Sequence, residues 1–352
     1  MHATLDVYAL KSFTKALLCL SKYGDEVSFR ASSTFLTLSA TNSSKSAYCH
    51  FRFAKAFFSR YRLDTDDDTD VSIGQVSTKA SCTFTIQSQY SLNSLLSIMK
   101  HRTIEKSVER CEISISDQPN EDADVAVDKS NIEGKLIVRL HCKHGVIKTH
   151  RLLLMTPGPT LVPHTTDQSI ESQLVIGPRA LKEMIEHFPA AKGIKSDPQL
   201  TWTFAETEVG LRSLDTNLDA RGKGQLSTEL TINASEFDGY SIHAPPITLS
   251  FHLREFNATV AYADAMNVSL LLRFTDSNSP LCIEIDGESD SLATLFVIST
   301  SQVHGAPSRA TPKPVNNVLS GSKRERDNSS TPAASRKLIR AAQPMEHTIK
   351  AE

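Results

Sequence analysis

Phe35-Leu-Thr-Leu-Ser-Ala-Thr-Asn42 and Val209-Gly-Leu-Arg-Ser-Leu-Asp-Thr-Asn217 are the two stretches on which the fold turns. Both read as strands with alternating apolar positions, and both end in Thr-Asn. Further along, Phe58-Ser-Arg-Tyr61 is echoed by Phe237-Asp-Gly-Tyr240, and the aromatics Tyr90 and Phe256 fall at corresponding sheet-to-helix transitions. Similarity recurring in one order points to a duplicated unit.

Around these stretches, the first copy opens with a strand at Ala3–Val7 and a helix at Tyr8–Ser21, with Gly24 as its C-terminal stop. Strands follow at Glu26–Ser32, Phe35–Ala40, Ser46–Phe53 and Ser81–Gln87, then a helix at Ser91–His101. Three more strands, Val108–Ser116, Lys135–His144 and Val146–Leu154, complete it. The second copy runs strand Gln173–Ile176, helix Pro178–Phe188, strands Gln199–Ala205, Glu208–Leu214, Gln225–Asn233 and Ile247–His252. It closes with helix Leu253–Met266 and strands Val268–Thr275, Leu281–Asp286 and Ala293–Thr300. The pattern predicts two similar α+β domains, 1–154 and 173–302, joined by a proline-containing connector at 155–172.

Charge divides differently. Residues 303–352 hold nine Lys/Arg and four Asp/Glu, a net of +5, so the −2 of the whole chain leaves −7 for residues 1–302. The tail has too few large apolar residues to offset its ordering entropy and is expected to be disordered. Its runs Lys323-Arg-Glu-Arg326 and Arg336-Lys337 fit a nuclear import signal and an ordinary solvated tail equally well. No apolar run approaches the roughly 20 residues of a membrane-spanning helix, and the N-terminus lacks the basic-then-apolar pattern of a secretory signal. The six cysteines stand singly, as expected of buried thiols in a reducing compartment.

Catalytic signatures are weak. His141-Cys-Lys-His144 contains metal-capable side chains, but neighbours on a strand point to opposite faces. In Asp64-Thr-Asp-Asp-Asp-Thr-Asp70, a calcium loop would need glycine where Thr69 stands and glutamate where Gln75 stands. Arg221-Gly-Lys-Gly224 reads as a turn. With no nucleotide-binding or hydrolase motif, the sequence reads as a non-enzyme without metal or cofactor. The positive feature is one helix face: Lys11, Lys15 and Lys22 fall within about 40° of one another, opposite Leu10, Phe13, Leu17 and Leu20. Such a line is either a solvated face or a phosphate-tracking one.

The duplicated unit, with two helices per copy, resembles the sliding DNA clamps such as proliferating cell nuclear antigen (PCNA). Closer resemblance lies in Asn42-Ser-Ser-Lys-Ser-Ala-Tyr48 with Phe57-Phe-Ser-Arg-Tyr61, and in Thr103-Ile-Glu-Lys-Ser-Val-Glu-Arg-Cys111. It continues in Leu140-His-Cys-Lys-His-Gly-Val-Ile-Lys-Thr-His150 and in Leu253-Arg-Glu-Phe256 with Ala265-Met-Asn267. Over residues 1–302 these are similar to the Rad-nine subunits of the heterotrimeric DNA-damage checkpoint clamp, the nine-one-one complex. The resemblance implies a ring-shaped, nuclear clamp subunit, with helices facing DNA inside and antiparallel sheets outside. It encircles damaged DNA, signals in the checkpoint and serves repair enzymes as a platform.

By that resemblance Lys11, Lys15, Lys22, Lys100, Arg102, Arg179 and Lys182 face DNA phosphates without reading sequence. Neighbouring subunits join along Val146, Lys148, His150 and Leu152 in the first domain and along Ser227, Glu229 and Thr231 in the second. The implied partners are two other clamp subunits, a clamp loader, repair enzymes at a groove under the connector and a BRCT-repeat protein on a phosphorylated tail. Ser329, Ser330 and Thr331 are the available phosphosites. The sequence departs from the family in the acidic connection Asp117–Gly134 and in its short tail. The alternatives are a homotrimeric replication clamp and, more remotely, a metal-dependent nuclease using His141, His144 or the acidic loop.

Overall fold

The structure, a computed structural model, describes residues 1–63, 81–86, 89–100, 107–116, 134–154, 170–188, 199–214, 227–285 and 291–301. The loop 64–70, Arg102, the connection 117–133, the connector 155–169, the turn 221–224 and the tail with Ser329, Ser330 and Thr331 lie outside these residues.

In chain order the first half contributes β1 (His2–Asp6), α1 (Val7–Tyr23), β2 (Val27–Ser32), β3 (Phe35–Thr41), β4 (Ala47–Ala54), β5 (Arg60–Arg62) and β6 (Ser81–Ile86). It continues with α2 (Gln89–Lys100), β7 (Val108–Ser116), β8 (Lys135–Cys142) and β9 (Ile147–Leu153). The second half contributes β10 (Ser172–Ile176), α3 (Pro178–Glu186), β11 (Gln199–Phe204), β12 (Glu208–Leu214), β13 (Ser227–Asn233), β14 (Gly239–Ser241) and β15 (Ile247–His252). It ends with α4 (Leu253–Met266), β16 (Leu270–Phe274), β17 (Leu281–Ile285) and β18 (Leu292–Ile298). Among the described residues the duplication is therefore one-to-one in its strands and α-helices. Among the described strands and α-helices the sequence reading misses β5 and β14. Three residues are too few to show alternation, and these strands are placed by pairing with β1 and β10.

Three antiparallel sheets result, in the orders β5-β1-β7-β8-β9, β13-β12-β11-β15 and β14-β10-β16-β17-β18-β4-β3-β2-β6. The nine-stranded sheet crosses from one half to the other where β18 pairs with β4. Under that joint Phe51 of β4 meets Tyr262 of α4 at 4.9 Å and Phe296 of β18 at 5.5 Å, both edge-on, and Tyr23 of α1 reaches Phe296 at 5.9 Å. All four rings are buried, so both halves share one aromatic core.

The repeated Phe-x-x-Tyr motif has the same task twice. After a short 3-10 turn, Phe58 and Tyr61 pack at 5.2 Å, as do Phe237 and Tyr240 at 5.8 Å. The Tyr61 hydroxyl donates to the Ser32 carbonyl at 2.7 Å, just where the chain leaves β2; Tyr240 donates to the Ala205 carbonyl at the matching place after β11.

Helix α1 starts where Asp6 accepts a hydrogen bond from the Ala9 amide at 2.8 Å, a side-chain N-cap. It ends at Gly24, though not in the left-handed manner the sequence suggests: Gly24 is extended (φ −155°, ψ 165°). Glycine is required there for another reason, because an added Cβ would lie 2.4 Å from the Thr41 carbonyl oxygen. Gly24→Ala is expected to destabilise the chain by about 1–3 kcal/mol in urea unfolding, since backbone must shift to admit the methyl. No measurable change would refute the close approach.

The cysteines Cys19, Cys49, Cys111, Cys142 and Cys282 are buried free thiols. Burial, with the neighbouring Glu112 charge, pushes Cys111 up to about 12, and burial raises Cys19 and Cys49 as well. Cys19, Cys49 and Cys111 therefore stay protonated, and all five act as small core residues.

Candidate nucleic-acid interface

Among the described residues, four α-helices lie side by side in the order α2, α1, α4, α3, with sheet on their other side. Where α1 meets α4 the halves are bonded directly. Tyr23 and Thr259 share a buried hydroxyl–hydroxyl bond of 2.6 Å, and the Lys15 ammonium donates to the Ala265 carbonyl near the end of α4. Nearby, the Asn42 amide donates to the buried Glu255 carboxylate at 3.1 Å and to Ser46 at 3.0 Å. The Asn42 oxygen accepts from the Ser46 and Ala47 amides, so one side chain closes the β3–β4 turn and reaches the other half.

The apolar side of α1 is buried as its periodicity predicts: Leu10, Phe13, Leu17 and Leu20 are all inaccessible or nearly so. On the opposite side Lys11 and Lys22 are exposed, and Lys15 is half-buried by its bond to Ala265. Tyr8 and Leu18 complete that stripe. Tyr8 is 81% exposed, so nothing among the described residues covers the face there. Lys100 is exposed on the last turn of α2. Lys22 and Lys100 both sit where a cation also answers a helix's carbonyl end.

In the second half Arg179 and Lys182 are exposed on α3. Lys182 pairs with Asp264 of α4 at 2.9 Å; that hydrogen bond and charge raise the ammonium's pKa and offset its field. The exposed Glu183 and Glu186 dilute the positive side further. One cation missed by sequence reading is Arg254, exposed on α4 with Asn257 and Ala261 on the following turns. With Lys15, Leu18 and Lys22 these line a groove of about 340 Å³ between α1 and α4. The signal was the polar stripe of α4 itself, legible once that helix is known to stand beside α1. The predicted phosphate-facing cations with described side chains thus all lie on the helical layer. Lys11, Lys22, Lys100 and Arg179 carry the least compensated charge.

The predicted interface strands are the last strands of two sheets. On β9, Lys148, His150 and Leu152 stand opposite Leu140, Val138 and Leu136 of β8, on the core-facing side. Val146 immediately precedes the strand and is exposed. On β13, Glu229 and Thr231 are exposed on the outward face, and Ser227 is the first residue of the strand. The core-facing positions there are Thr228, Leu230 and Ile232, opposite Ser213, Leu211 and Val209.

The metal-capable cluster comes apart. His141 lies 3.0 Å from Glu112, Cys142 is buried, and His144 sits in the β8–β9 turn with φ 62°. Burial pushes Glu112 up, but hydrogen bonding and the charges of His141 and Arg110 outweigh it and hold the carboxyl below its usual range. Among the described residues, no group of three His, Cys, Asp or Glu is placed to hold a metal ion.

Two α+β halves, a shared central sheet and a layer of four helices bearing cations define a sliding-clamp fold. Solved structures agree. The PCNA of Thermococcus kodakaraensis aligns with a TM-score of 0.57 at 13% identity, over 85% of this chain and 99% of that one. The A. fulgidus PCNA, solved with the C-terminal region of FEN-1, aligns with a TM-score of 0.55 at 12% identity, over 87% and 99%.

The chain belongs to the Rad9 family, whose model matches residues 13–301. It is 25% identical over 311 residues to the DNA repair protein rad9 of Schizosaccharomyces octosporus, covering 83% of this chain and 67% of that protein. It is also 22% identical over 306 residues to the cell cycle checkpoint control protein Rad9 of Drosophila melanogaster, covering 86% and 58%. It is a checkpoint-clamp subunit of the DNA-damage response, in a family of scaffolds rather than enzymes.

Proposed function

We propose that this chain is one of three different subunits of a nuclear ring that closes around damaged DNA, with no catalytic activity of its own. Its division is into domains 1–154 and 173–302, joined by the connector 155–172. A clamp loader places the ring, and repair enzymes dock at a groove under the connector. The tail 303–352 offers Ser329, Ser330 and Thr331 for phosphorylation and capture by a BRCT-repeat protein. Lys11, Lys15, Lys22, Lys100, Arg102, Arg179 and Lys182 act as counter-charges to the DNA backbone, joined by Arg254; such contacts retain DNA without reading its sequence.

The observation that carries this proposal is the correspondence between the closed joint and the open ends. The halves are joined by β18 on β4, and the duplication makes β9 the counterpart of β18 and β13 the counterpart of β4. Each chain so carries one end of each kind, the arrangement from which head-to-tail rings are built. Strand pairing at those ends would also cover two open sheet edges.

The test is the native mass and stoichiometry of the tagged chain recovered from its own cells. A 1:1:1 assembly with two different clamp-sized chains is expected. A self-trimer would overturn the reading in favour of a replication-type clamp, and a lone monomer would leave only the fold.

A further inference from the structure

The duplication fixes which residues correspond across the halves. Ala3 and Leu174 stand opposite Tyr61 and Tyr240, and on their other side opposite Ile113 and Leu272. Those in turn pair with Val138 and Ile283, which pair with His150 and Phe296. His150 is therefore the counterpart of Phe296, and Lys148 that of Thr294. Ala54 and Asn233 each precede a 3-10 turn, opposite Phe35 and Glu208, so Cys49 and Phe51 correspond to Thr228 and Leu230.

In the closed joint Phe296 faces Cys49 and Thr294 faces Phe51. The seam is dry: Phe296, Cys49 and Phe51 are 0% exposed and Thr294 7%. The Thr294 hydroxyl is satisfied within its own half, bonding the Ile285 amide and carbonyl at 3.1 Å each, and asks nothing of β4.

Carried over to β9 against the β13 of a second copy, the same register sets His150 against Thr228 and Lys148 against Leu230. Self-pairing would thus close an ammonium and an imidazole into a seam that offers a leucine and a threonine and no carboxylate. Burying a charge without a partner is costly, and far more so than burying the threonine and phenylalanine that fill these places in the closed joint. The outward positions, where Glu229 would face Thr149, stay in solvent and contribute little. The whole hairpin is one-signed: residues 134–154 contain Lys135, Arg139, Lys143, Lys148 and Arg151 and no Asp or Glu.

The geometry points to β9 as a selective edge. It rejects this chain's own β13 and takes an antiparallel strand of a different chain, one bearing Asp or Glu at the inward positions opposite Lys148 and His150. This rests on the ring reading and adds to it the chemistry of the neighbour and the device that prevents a ring of identical chains.

The test uses the full chain in sedimentation velocity at about 0.15 M salt. One variant, Lys148→Thr with His150→Phe, copies β18. A second, Thr228→Glu with Leu230→Glu, supplies the missing carboxylates. The wild type is expected to stay monomeric and each variant to form a self-trimer. Added salt is expected to dissociate the acidic variant's trimer and to spare the other. The combined four-fold variant, its carboxylates facing threonine and phenylalanine, is expected to return to monomer. A wild-type self-trimer, or two folded variants that both remain monomeric, would overturn the inference. If those variants fail while the wild type still enters a mixed ring with other clamp chains, the ring reading survives the loss. Recovery of no clamp-sized partner from cells sinks the ring reading itself.

Discussion

Phe51→Ala is expected to cost about 3–5 kcal/mol of stability, the largest loss of any single truncation at the joint between the halves. Its ring is fully buried at the junction of both halves, edge-on to Tyr262 and Phe296 and 6.5 Å from Phe53. The truncation leaves a void that no neighbour can fill, because each is fixed by a different element. Urea unfolding followed by fluorescence and circular dichroism checks it, with Phe35→Ala as the control. Phe35 is only partly buried, and the Arg52 guanidinium covers its ring at 4.2 Å, so its loss should be much smaller. Equal effects at the two positions would mean that the shared aromatic core does not hold the halves together.

The second large effect is on DNA. Lys11→Glu combined with Lys22→Glu should release the assembled ring from circular duplex at a salt concentration the wild type tolerates. It should also flatten the salt dependence of retention by about 0.9 in the log–log slope for each phosphate left unneutralised. These two lysines are chosen because both are exposed and neither is held by a partner strand or carboxylate among the described residues. Lys15→Glu is a mixed variant, since its ammonium also caps the Ala265 carbonyl, and it should lower the melting temperature as well. Arg30→Glu, on an exposed position of β2 away from the helices and from the proposed subunit edges, controls for net charge. An unchanged slope in the Lys11/Lys22 variant would remove α1 from the DNA-facing surface.

Much of this fold was legible because a duplication shows twice. The apolar stripe of α1, Pro178 at the start of α3 and the paired Phe-x-x-Tyr turns all fall where the sequence puts them. What stayed hidden were facts about neighbours. Nothing local marks Gly24 as a point of close approach to Thr41, or shows that Lys182 is neutralised by Asp264 from another helix.

The stretches that carried the family resemblance turn out to do mainly structural work. Asn42 and Glu255 bond across the halves. Asn267 is the left-handed cap of α4 (φ 55°, ψ 48°), its amide donating to Ala263 and Asp264. Gly145 (φ 74°) follows His144 in the tight turn that presents β9. The cations of the candidate site sit instead on helix faces that any solvated helix imitates, and only the side-by-side arrangement of the helices shows that they share one layer.

The nine-stranded sheet has a mechanical consequence. Its hydrogen bonds run unbroken through the middle of the chain, with an aromatic core beneath and helix-to-helix bonds beside it. Bending the chain at its midpoint would mean shearing backbone pairs and opening a dry seam at once. The joint between the halves is therefore stiff, and a load on this sheet is expected to part its outermost strands before its centre.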